Sequence, residues 1–532
     1  MKKAIALVLT VVMLMSLFVG CGKSSDADSK SHVSAEPPAN LNETGWPIVN
    51  EKISMTLCGQ TPPTLISDWN ESLFFKRMEE KTNIHFECNA IPNASWKEKF
   101  NLMFAGEDLP DIFFKSLMSQ QDIQAYCDQG YLIDLAPMIP KYAPNVAEKL
   151  AEDPQFKAAI TLPDGKIPTL PQVGQAIPLE PLWLNQNWLD ALNLEMPTNA
   201  DELYAVLKAF KEQDPNGNSK QDEIPLILFG DDGCVGQIRV LLAYFGILFC
   251  RGEDSDMYVD PATNELVYGP ETEAFKEAMK FLKKLFDEGL IDNESFTQTQ
   301  AQAKAKGMEE DERLGGFLTS SPLLVVGLNR HFSYGIVPAP EYNGHKGWPM
   351  VRYITPGKFA ITNRCQYPEA ALRWVDYFYS DEGGRYLWMG LENSEYKVNE
   401  DGTWNWIIPE GEDEKSFRAK ISMQPGGNFP GIVPELWNKT QNDQEAHLIK
   451  WRGTVKNDCY LTMPVIYYDR ADAKQLAALT TDLGTYIDQS IAQFITGALD
   501  IDKDWDTYLQ TLKQMGCEDV KNIVTTNYEK IK

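Results

Sequence analysis

The chain has 532 residues, 43% of them hydrophobic, and a formal charge of −27. That length is ample for a large core and too long for one simple domain, so two lobes are expected. So acidic a chain repels phosphate backbones, which excludes nucleic-acid binding.

Lys2 and Lys3 precede an apolar run from Ala4 to Val19, then Gly20-Cys21-Gly22. A basic start, an apolar stretch and a small residue before the cut describe a secretory signal. A cysteine directly after the small residue resembles a bacterial lipobox, with cleavage before Cys21 and lipid on that residue; Phe18 stands where leucine is usual. An ordinary secreted protein and an uncleaved anchor are the alternatives, but the run is short for a span of about 20 apolar residues. No other segment is apolar for long enough to cross a bilayer. Residues 22–47, rich in Ser, Asp, Asn and Pro, read as a flexible tether. The expected division is therefore a signal peptide at 1–20 and a lipidated cysteine with its tether at 21–47.

Ile53, Met55 and Leu57 alternate with polar residues, which predicts a strand. Trp69 to Lys81 reads as a helix, Ile84–Cys88 as a strand and Trp96 to Phe104 as a helix; Leu109–Phe114 opens a third strand. Strands alternating with helices imply βα units and a largely parallel sheet. Ligands of open α/β sheets bind at the carboxyl ends of strands. Gln60 and Thr61 after the first strand, and Lys115 and Ser116 after the third, are cleft candidates, with ordinary loop polarity as the alternative.

Leu182–Leu184 reads as a strand and Trp188–Leu192 as a short helix. Asn199 and Glu202 stand at capping-box spacing before a helix marked by Leu203, Val206, Leu207 and Phe210. Next come Asp214, Asn216 and Asn218 at alternating positions, Gly217 at the turn, then Lys220, Asp222 and Glu223. Side-chain oxygens at loop positions 1, 3 and 5, a backbone carbonyl at 7 and later carboxylates make an EF-hand-type calcium ligand set. An EF-hand has its bidentate Glu at position 12, whereas Asp222 and Glu223 fall at 9 and 10. A polar turn with no metal is the alternative. Such an ion would be structural and would staple a helix end to a strand at Ile224–Phe229.

Asp260 to Tyr268 resembles a hairpin with Asn264 near its turn. Phe275, Met279, Leu282 and Phe286 mark a helix capped by Gly289. Gly315–Thr319, Tyr334–Pro338 and Lys358–Ile361 read as strands. Pro368 opens a helix through Phe378 that stops before Gly383-Gly384, and residues 407–532 are mostly helical in pattern. Nine cysteines are present, scattered and without CxxC or zinc spacing, so buried free thiols are expected for most. No repeat or heptad is visible.

Several stretches now add up: the leader with Cys21, "LPDIFF", "WLNQNWLDALNLEMPTNADEL", "DPNGNSKQDEIPL", "LVYGPETEAFKEAMKFLKKLFDEGLID", "FAITNRCQYPEAALRWVDYFYSDEG" and "GLEN". In this order they resemble the extracellular solute-binding lipoproteins of carbohydrate ABC importers, in the subgroup that includes alginate-oligosaccharide-binding proteins. The resemblance covers nearly the whole mature chain. It implies an α/β periplasmic-binding-protein fold: two α/β lobes joined by hinge strands, closing on ligand in the cleft. The approximate division is 48–165 with 353–430 for one lobe, and 166–352 with 431–532 for the other. It further implies a sugar or oligosaccharide ligand, a membrane permease as partner and a lipid anchor on the extracellular face of the membrane. A loop similar to 214–223 holds calcium in the alginate-binding relatives. By motif match its ligands here are Asp214, Asn216, Asn218, the Lys220 carbonyl, Asp222 and Glu223. Family members often carry Arg where this chain has Asn185, so substrate preference does not carry across. A monomer is expected.

A pyranose offers an apolar face for aromatic rings and a hydroxyl rim for planar polar groups. Trp69, Trp348, Arg352, Tyr353, Trp388 and Glu392 lie in polar or Gly-rich contexts and are candidates, alongside Asn185; burial is the alternative for the aromatics. Trp188 and Trp374, on helical faces, are expected in the core. A secreted glycoside hydrolase is the catalytic alternative, but no hydrolase signature surrounds any carboxylate pair and the five histidines are expected to form no cluster. A peptide or other solute on the same fold is the rival ligand class.

Overall fold

The computed structural model describes residues 40–531 apart from 64, 66–67, 176, 179, 231–232, 250–255, 351–352 and 462. The signal, Cys21 and most of the tether lie outside the described residues, as does Arg352. From residue 40 to the end the chain forms one compact unit that contains two hydrophobic cores.

The first lobe is built on strands β1 (Ile53–Thr61), β2 (Ile84–Pro92) and β3 (Ile112–Phe114), joined by helices α1 (Leu73–Thr82) and α2 (Asn93–Ala105). β4 (Leu170–Val173) leads toward the second lobe, where β5 (Leu182–Asn185) begins a new sheet. There the chain runs through α3 (Ala200–Glu212), α4 (Glu273–Asp287), β6 (Gly316–Leu318), α5 (Leu323–His331) and β7 (Tyr334–Ile336). It returns to the first lobe with β8 (Ile354–Ile361), α6 (Pro368–Asp376), α7 (Asp381–Met389), α8 (Glu414–Ile421) and β9 (Gly431–Ile432). It then completes the second with α9 (Asp443–Val455), the long α10 (Arg470–Thr496) and two further helices.

In the first sheet the order is β9-β4-β8-β3-β1-β2. β1 lies parallel to both β2 and β3, with Ile53 opposite Ile84 and Leu57 opposite Ile112. β8 runs antiparallel to β3 and β4. The second sheet, β6-β5-β7, is antiparallel throughout, so the expectation of a largely parallel sheet holds only for β1 to β3 and for the short pair of β9 with β4. The strand expected at Ile224–Phe229 is instead a run of isolated bridges, Ile224 to Leu314, Leu226 to Ile291 and Ile227 to Phe317. Pro225 has no N–H to give a ladder, which is why the run breaks up there.

Local signals explain several ends. Asn199 caps α3 by accepting from the Glu202 N–H at 2.9 Å, but the Glu202 carboxylate bonds Thr198 rather than closing the expected box. Gly289 takes φ +63 one residue beyond the Glu288 cap of α4. Asn264 takes φ +57 in the hairpin between Met257–Val259 and Leu266–Tyr268. Gly383 and Gly384 sit inside α7, and a Cβ on Gly383 would meet the Tyr377 carbonyl oxygen at 1.8 Å. Glycine there lets α7 fold back onto the preceding turn.

Residues 40–47 are not free tether. Leu41 bridges Val49, Arg373 donates to the carbonyls of Asn42 and Gly45, and the Lys81 ammonium lies 4.5 Å from the Trp46 ring. The cation–π contact and the carbonyl bonds fix this segment on α1 and α6. The first core draws on residues between Leu41 and Leu170 and between Ile354 and Trp437, with Val465 and Tyr467 added from later in the chain. The second draws on Leu182 to Trp348 and Leu448 to Tyr528. The seven cysteines among the described residues are all free thiols. No helix of the described residues is long and apolar enough to cross a membrane.

Candidate functional site

The loop after α3 curls on itself. Asp214, Gly217 and Ser219 all take left-handed φ, +47, +69 and +60. Asp214 Oδ1 and Asn216 Oδ1 each accept from the Asn218 N–H at 3.1 Å, and Asn218 Oδ1 accepts from the Lys220 N–H at 2.8 Å. Asn218 Nδ2 donates to Asp222 Oδ1 at 3.0 Å. The loop's one cation, the Lys220 ammonium, turns away to Asp311 at 2.8 Å. Both carboxylate oxygens of Glu223 are buried with no hydrogen-bond partner. Burial first, then the fields of Asp214 and Asp222, push the Glu223 carboxyl above its ordinary value. Oxygen ligands converging on orphaned acceptors, with no protein cation among them, are a donor set that fits a hard divalent cation.

Most cleft candidates are committed to packing. Trp69 is fully buried, its Nε1 donating to Thr61 Oγ1 at 3.3 Å, and it stacks on Phe75 and meets Phe114 edge-on. Gly59 lies beneath it: a Cβ there would meet Phe114 O at 1.8 Å and the Trp69 ring at 2.7 Å. Trp348 is fully buried in the second core and donates to Val337 O at 3.1 Å. These two indoles are therefore core residues, because each side chain turns inward from its polar flanks. Asn185 is buried and caps the helix at Gln186–Leu192 with its side chain. Trp188 and Trp374 lie in the core as expected. Gln60 and Thr61 are nearly buried at the carboxyl end of β1.

Lys115 and Ser116 follow β3 as expected, yet both are buried. Ser116 Oγ donates to Gly357 O at 2.7 Å. Lys115, at φ +54, sends its ammonium under the loop at 423–428, where it donates to the carbonyls of Met423 at 2.8 Å, Pro425 at 3.4 Å and Gly427. Lys358 on β8 donates to Asn428 Oδ1 at 3.1 Å. Burial, helped by the neighbouring Lys358 charge, pushes Lys115 down to about 7; burial alone pushes Lys358 down to about 8. The two lysines brace the loop from below and have no ligand-facing surface.

The remaining candidates gather near the lobe junction or its margin. Tyr353, half-buried, donates to Gln155 Oε1 at 2.6 Å. Glu392 is exposed, 3.7 Å from Arg385. Trp388, on α7, belongs to an indole cluster. Its ring lies 4.9 Å from Trp437, which lies 5.4 Å from Trp404, which lies 4.9 Å from Trp406. The Arg418 guanidinium of α8 stands over Trp437 at 5.1 Å and Trp406 at 5.7 Å. The Nε1 groups of Trp388 and Trp404 and the Nε of Arg418 are buried donors without partners. The hairpin Tyr396–Val398/Trp404–Trp406 is held to α1 by a two-bond Arg77–Glu395 pair, each bond 2.9 Å. Next to Trp437, Asn438 accepts from Gln175 of the first crossing segment at 2.7 Å.

Trp404, Trp406, Trp437 and Arg418 were not among the sequence candidates. The signal was Trp404-Asn405-Trp406, because residues two apart on a strand share a face.

Two α/β lobes linked by repeated crossings, with an aromatic cluster beside the crossings and no assembled catalytic group in it, define a solute-binding protein. The family model for bacterial extracellular solute-binding proteins matches residues 64–385, and the chain belongs to that family. The curated fructooligosaccharide ABC transporter substrate-binding protein FusA of Streptococcus pneumoniae serotype 4 is 28% identical over 97% of this chain and 96% of its own. A solved structure of S. pneumoniae FusA in complex with kestose matches with TM-score 0.69 and 25% identity, covering 90% of this chain and 99% of that one. An extracellular solute-binding protein from Bifidobacterium longum subsp. infantis matches in fold with TM-score 0.76 at 21% identity, covering 90% and 98%. FusA is a binding protein of a transporter, and the chain is a binding protein rather than an enzyme.

Proposed function

We propose that the protein captures an oligosaccharide outside the cell and delivers it to the permease of an ABC importer. The indole cluster of Trp388, Trp404, Trp406 and Trp437 at the lobe junction carries this reading. Half-buried Trp406 offers a ring face for sugar C–H groups, backed by Trp388, Trp404 and Trp437 in the first core, and the unpartnered N–H groups of Trp388, Trp404 and Arg418 suit hydroxyl or ring oxygens. The likeness to FusA over almost the whole length of both chains supports the same cargo class. Trp406 and Arg418, both half-buried, form the contact surface over the buried Trp437, with Tyr353 and Glu392 at its margin.

Calcium held by Asp214, Asn216, Asn218, the Lys220 carbonyl, Asp222 and Glu223 is part of this reading. It would join the end of α3 to the bridges at Ile224–Ile227. A solved FusA structure is described as an EF-hand mutant, which supports a loop of this kind among relatives. Cys21 is the proposed lipid attachment, holding the lobes close to the permease on the outer face of the membrane.

The deciding experiment is a thermal-shift screen with calcium present, using fructo-oligosaccharides, other neutral oligosaccharides, uronic-acid oligosaccharides and short peptides. A saturable rise with one sugar class supports the reading and names the cargo. A rise with peptides and silence from every sugar overturns it.

A further inference from the structure

Two of the five histidines, far apart in sequence, meet in the second lobe. The His331 ring at the end of α5 and the His447 ring on α9 have centroids 4.8 Å apart. His331 is fully buried; its Nε2 lies 3.4 Å from Gln444 O and its Nδ1 has no partner. His447 Nε2 lies 2.9 Å from Tyr334 O on β7. Aromatic rings enclose the pair: Phe332 lies 5.0 and 5.4 Å from the two imidazoles, Trp183 stacks on His447 at 6.3 Å, and Trp451 lies 6.4 Å away.

α9 is the first helix after the chain leaves the first lobe, and only Leu448 and Val455 of its thirteen residues are fully buried. Its seat on the second lobe rests on these two, on Trp451 packed over Gly335, on the Arg452 bond to Ser320 O and on the imidazole pair. Its N-cap, Asn442, also donates to Glu414 of α8 in the first lobe at 3.2 Å, so α9 spans the junction. The charged and titratable groups on the elements packed here are Arg330 on α5, Tyr334 on β7, Asp443, Glu445, Lys450 and Arg452 on α9, and Glu435, Lys439, Lys456 and Asp458 on the short turns that flank α9. Arg330 is engaged by Gly307 O and Glu312, Tyr334 OH by Leu314 O and Arg452 by Ser320 O. Lys450 disfavours a charge on His447, and each imidazole is held below its ordinary value mainly by burial. No carboxylate among the described residues offsets a proton on either ring.

We propose that the His331–His447 pair is a proton-sensitive seat for α9, so that acidification loosens this helix from the second lobe and weakens the lobe junction. A proton on one ring faces a neighbouring imidazole and indole walls, and a second proton would place two cations in one apolar pocket. Because folding holds both groups below their free value, the unfolded or undocked helix takes up protons first. The docked state is thus fully favoured above about pH 6.5 and loses ground as pH falls, by up to tenfold per pH unit for each ring. The same logic makes histidine the usual sensor of mild acid.

Hydrogen exchange of the purified protein at pH 7 and pH 5, corrected for intrinsic rates, tests this without any ligand. Amides of residues 443–455 should lose protection by tenfold or more at pH 5 while those of β1 change little. In a His331→Phe/His447→Gln variant, which keeps a ring and a donor but cannot be protonated, the α9 loss should vanish. Unchanged protection of α9, an equal loss in wild type and variant, or an equal loss across the whole molecule would each overturn the proposal. Should the variant not fold, NMR titration of the wild-type imidazoles decides. Two rings titrating below free histidine together with α9 amide shifts support the seat, and two independent titrations near 6.5 exclude it.

Discussion

Val465 and Ile466 are neighbours in the chain, yet Val465 packs into the first core and Ile466 into the second. Met463 and Tyr467 extend the pattern, Met463 in the second core and Tyr467 in the first. Tyr467 OH donates to Ala159 O at 2.9 Å, and the Ile466 carbonyl accepts from Gln120 at 3.2 Å. The segment is a strap laced through both lobes. Tyr467→Ala should therefore cost about 3 kcal/mol or more, the usual range for truncating a buried aromatic. Urea unfolding measures it, and a loss below about 1 kcal/mol would mean that the strap lies on the surface.

Removing calcium should lower the melting temperature, because an ion that binds only the folded state stabilises it by about 2.7 kcal/mol at a hundred times its dissociation constant. Asp214→Ala and Glu223→Gln should each abolish the response to a chelator. A variant that still responds would place the ion elsewhere.

Trp437→Ala and Arg418→Ala should weaken oligosaccharide binding by roughly three- to tenfold or more each, the scale of one aromatic or cation–π contact. Trp69→Phe, in the first core, should leave affinity unchanged while lowering stability. Calorimetry with whichever sugar gives the thermal shift separates the two; equal affinities for wild type and Trp437→Ala would remove the indole cluster from the site.

The sequence carried the frame of this molecule better than its cleft. Alternation at Ile53, Met55 and Leu57 and the Asn199 cap are local signals, and they survive in β1 and α3. The ligand spacing from Asp214 to Glu223 is equally local, and the loop closes on itself. Cleft residues are another matter. Polar neighbours make Trp69 look like a loop residue, but its ring turns under Gly59, a contact set by sheet packing that no short window contains. Lys115 stands at the expected strand end, and the carbonyls that hold it come from about 310 residues further on. The docked segment 40–47 was missed because its partners, Lys81 on α1 and Arg373 on α6, are likewise distant in sequence.

Lys358 gives a pH dependence whose sign can be worked out. Burial pushes its ammonium down to about 8, so between there and about 10.5 the unfolded chain holds a proton that the folded chain has lost. Its contribution is favourable above that window and is lost as pH falls toward 8. Wild-type stability should gain up to about 1.4 kcal/mol per pH unit from this group between pH 8 and 10. Lys358→Met should flatten that part of the slope. Parallel denaturation curves for the two proteins at both pH values would show that the ammonium is exposed.

Cys21→Ala should release the protein from the membrane fraction into the medium. Retention as lipidated material would show that the anchor is attached at another residue.

Each core is assembled from stretches of chain separated by parts of the other lobe. The first needs residues as late as Trp437 and Tyr467, and the second needs the last helices of the chain. Neither half can therefore be sealed while the polypeptide is still emerging from an export channel. Large apolar surfaces stay open until nearly the whole length has crossed, a period in which such chains are prone to aggregate. A chain built this way closes its two cores late and together rather than lobe by lobe.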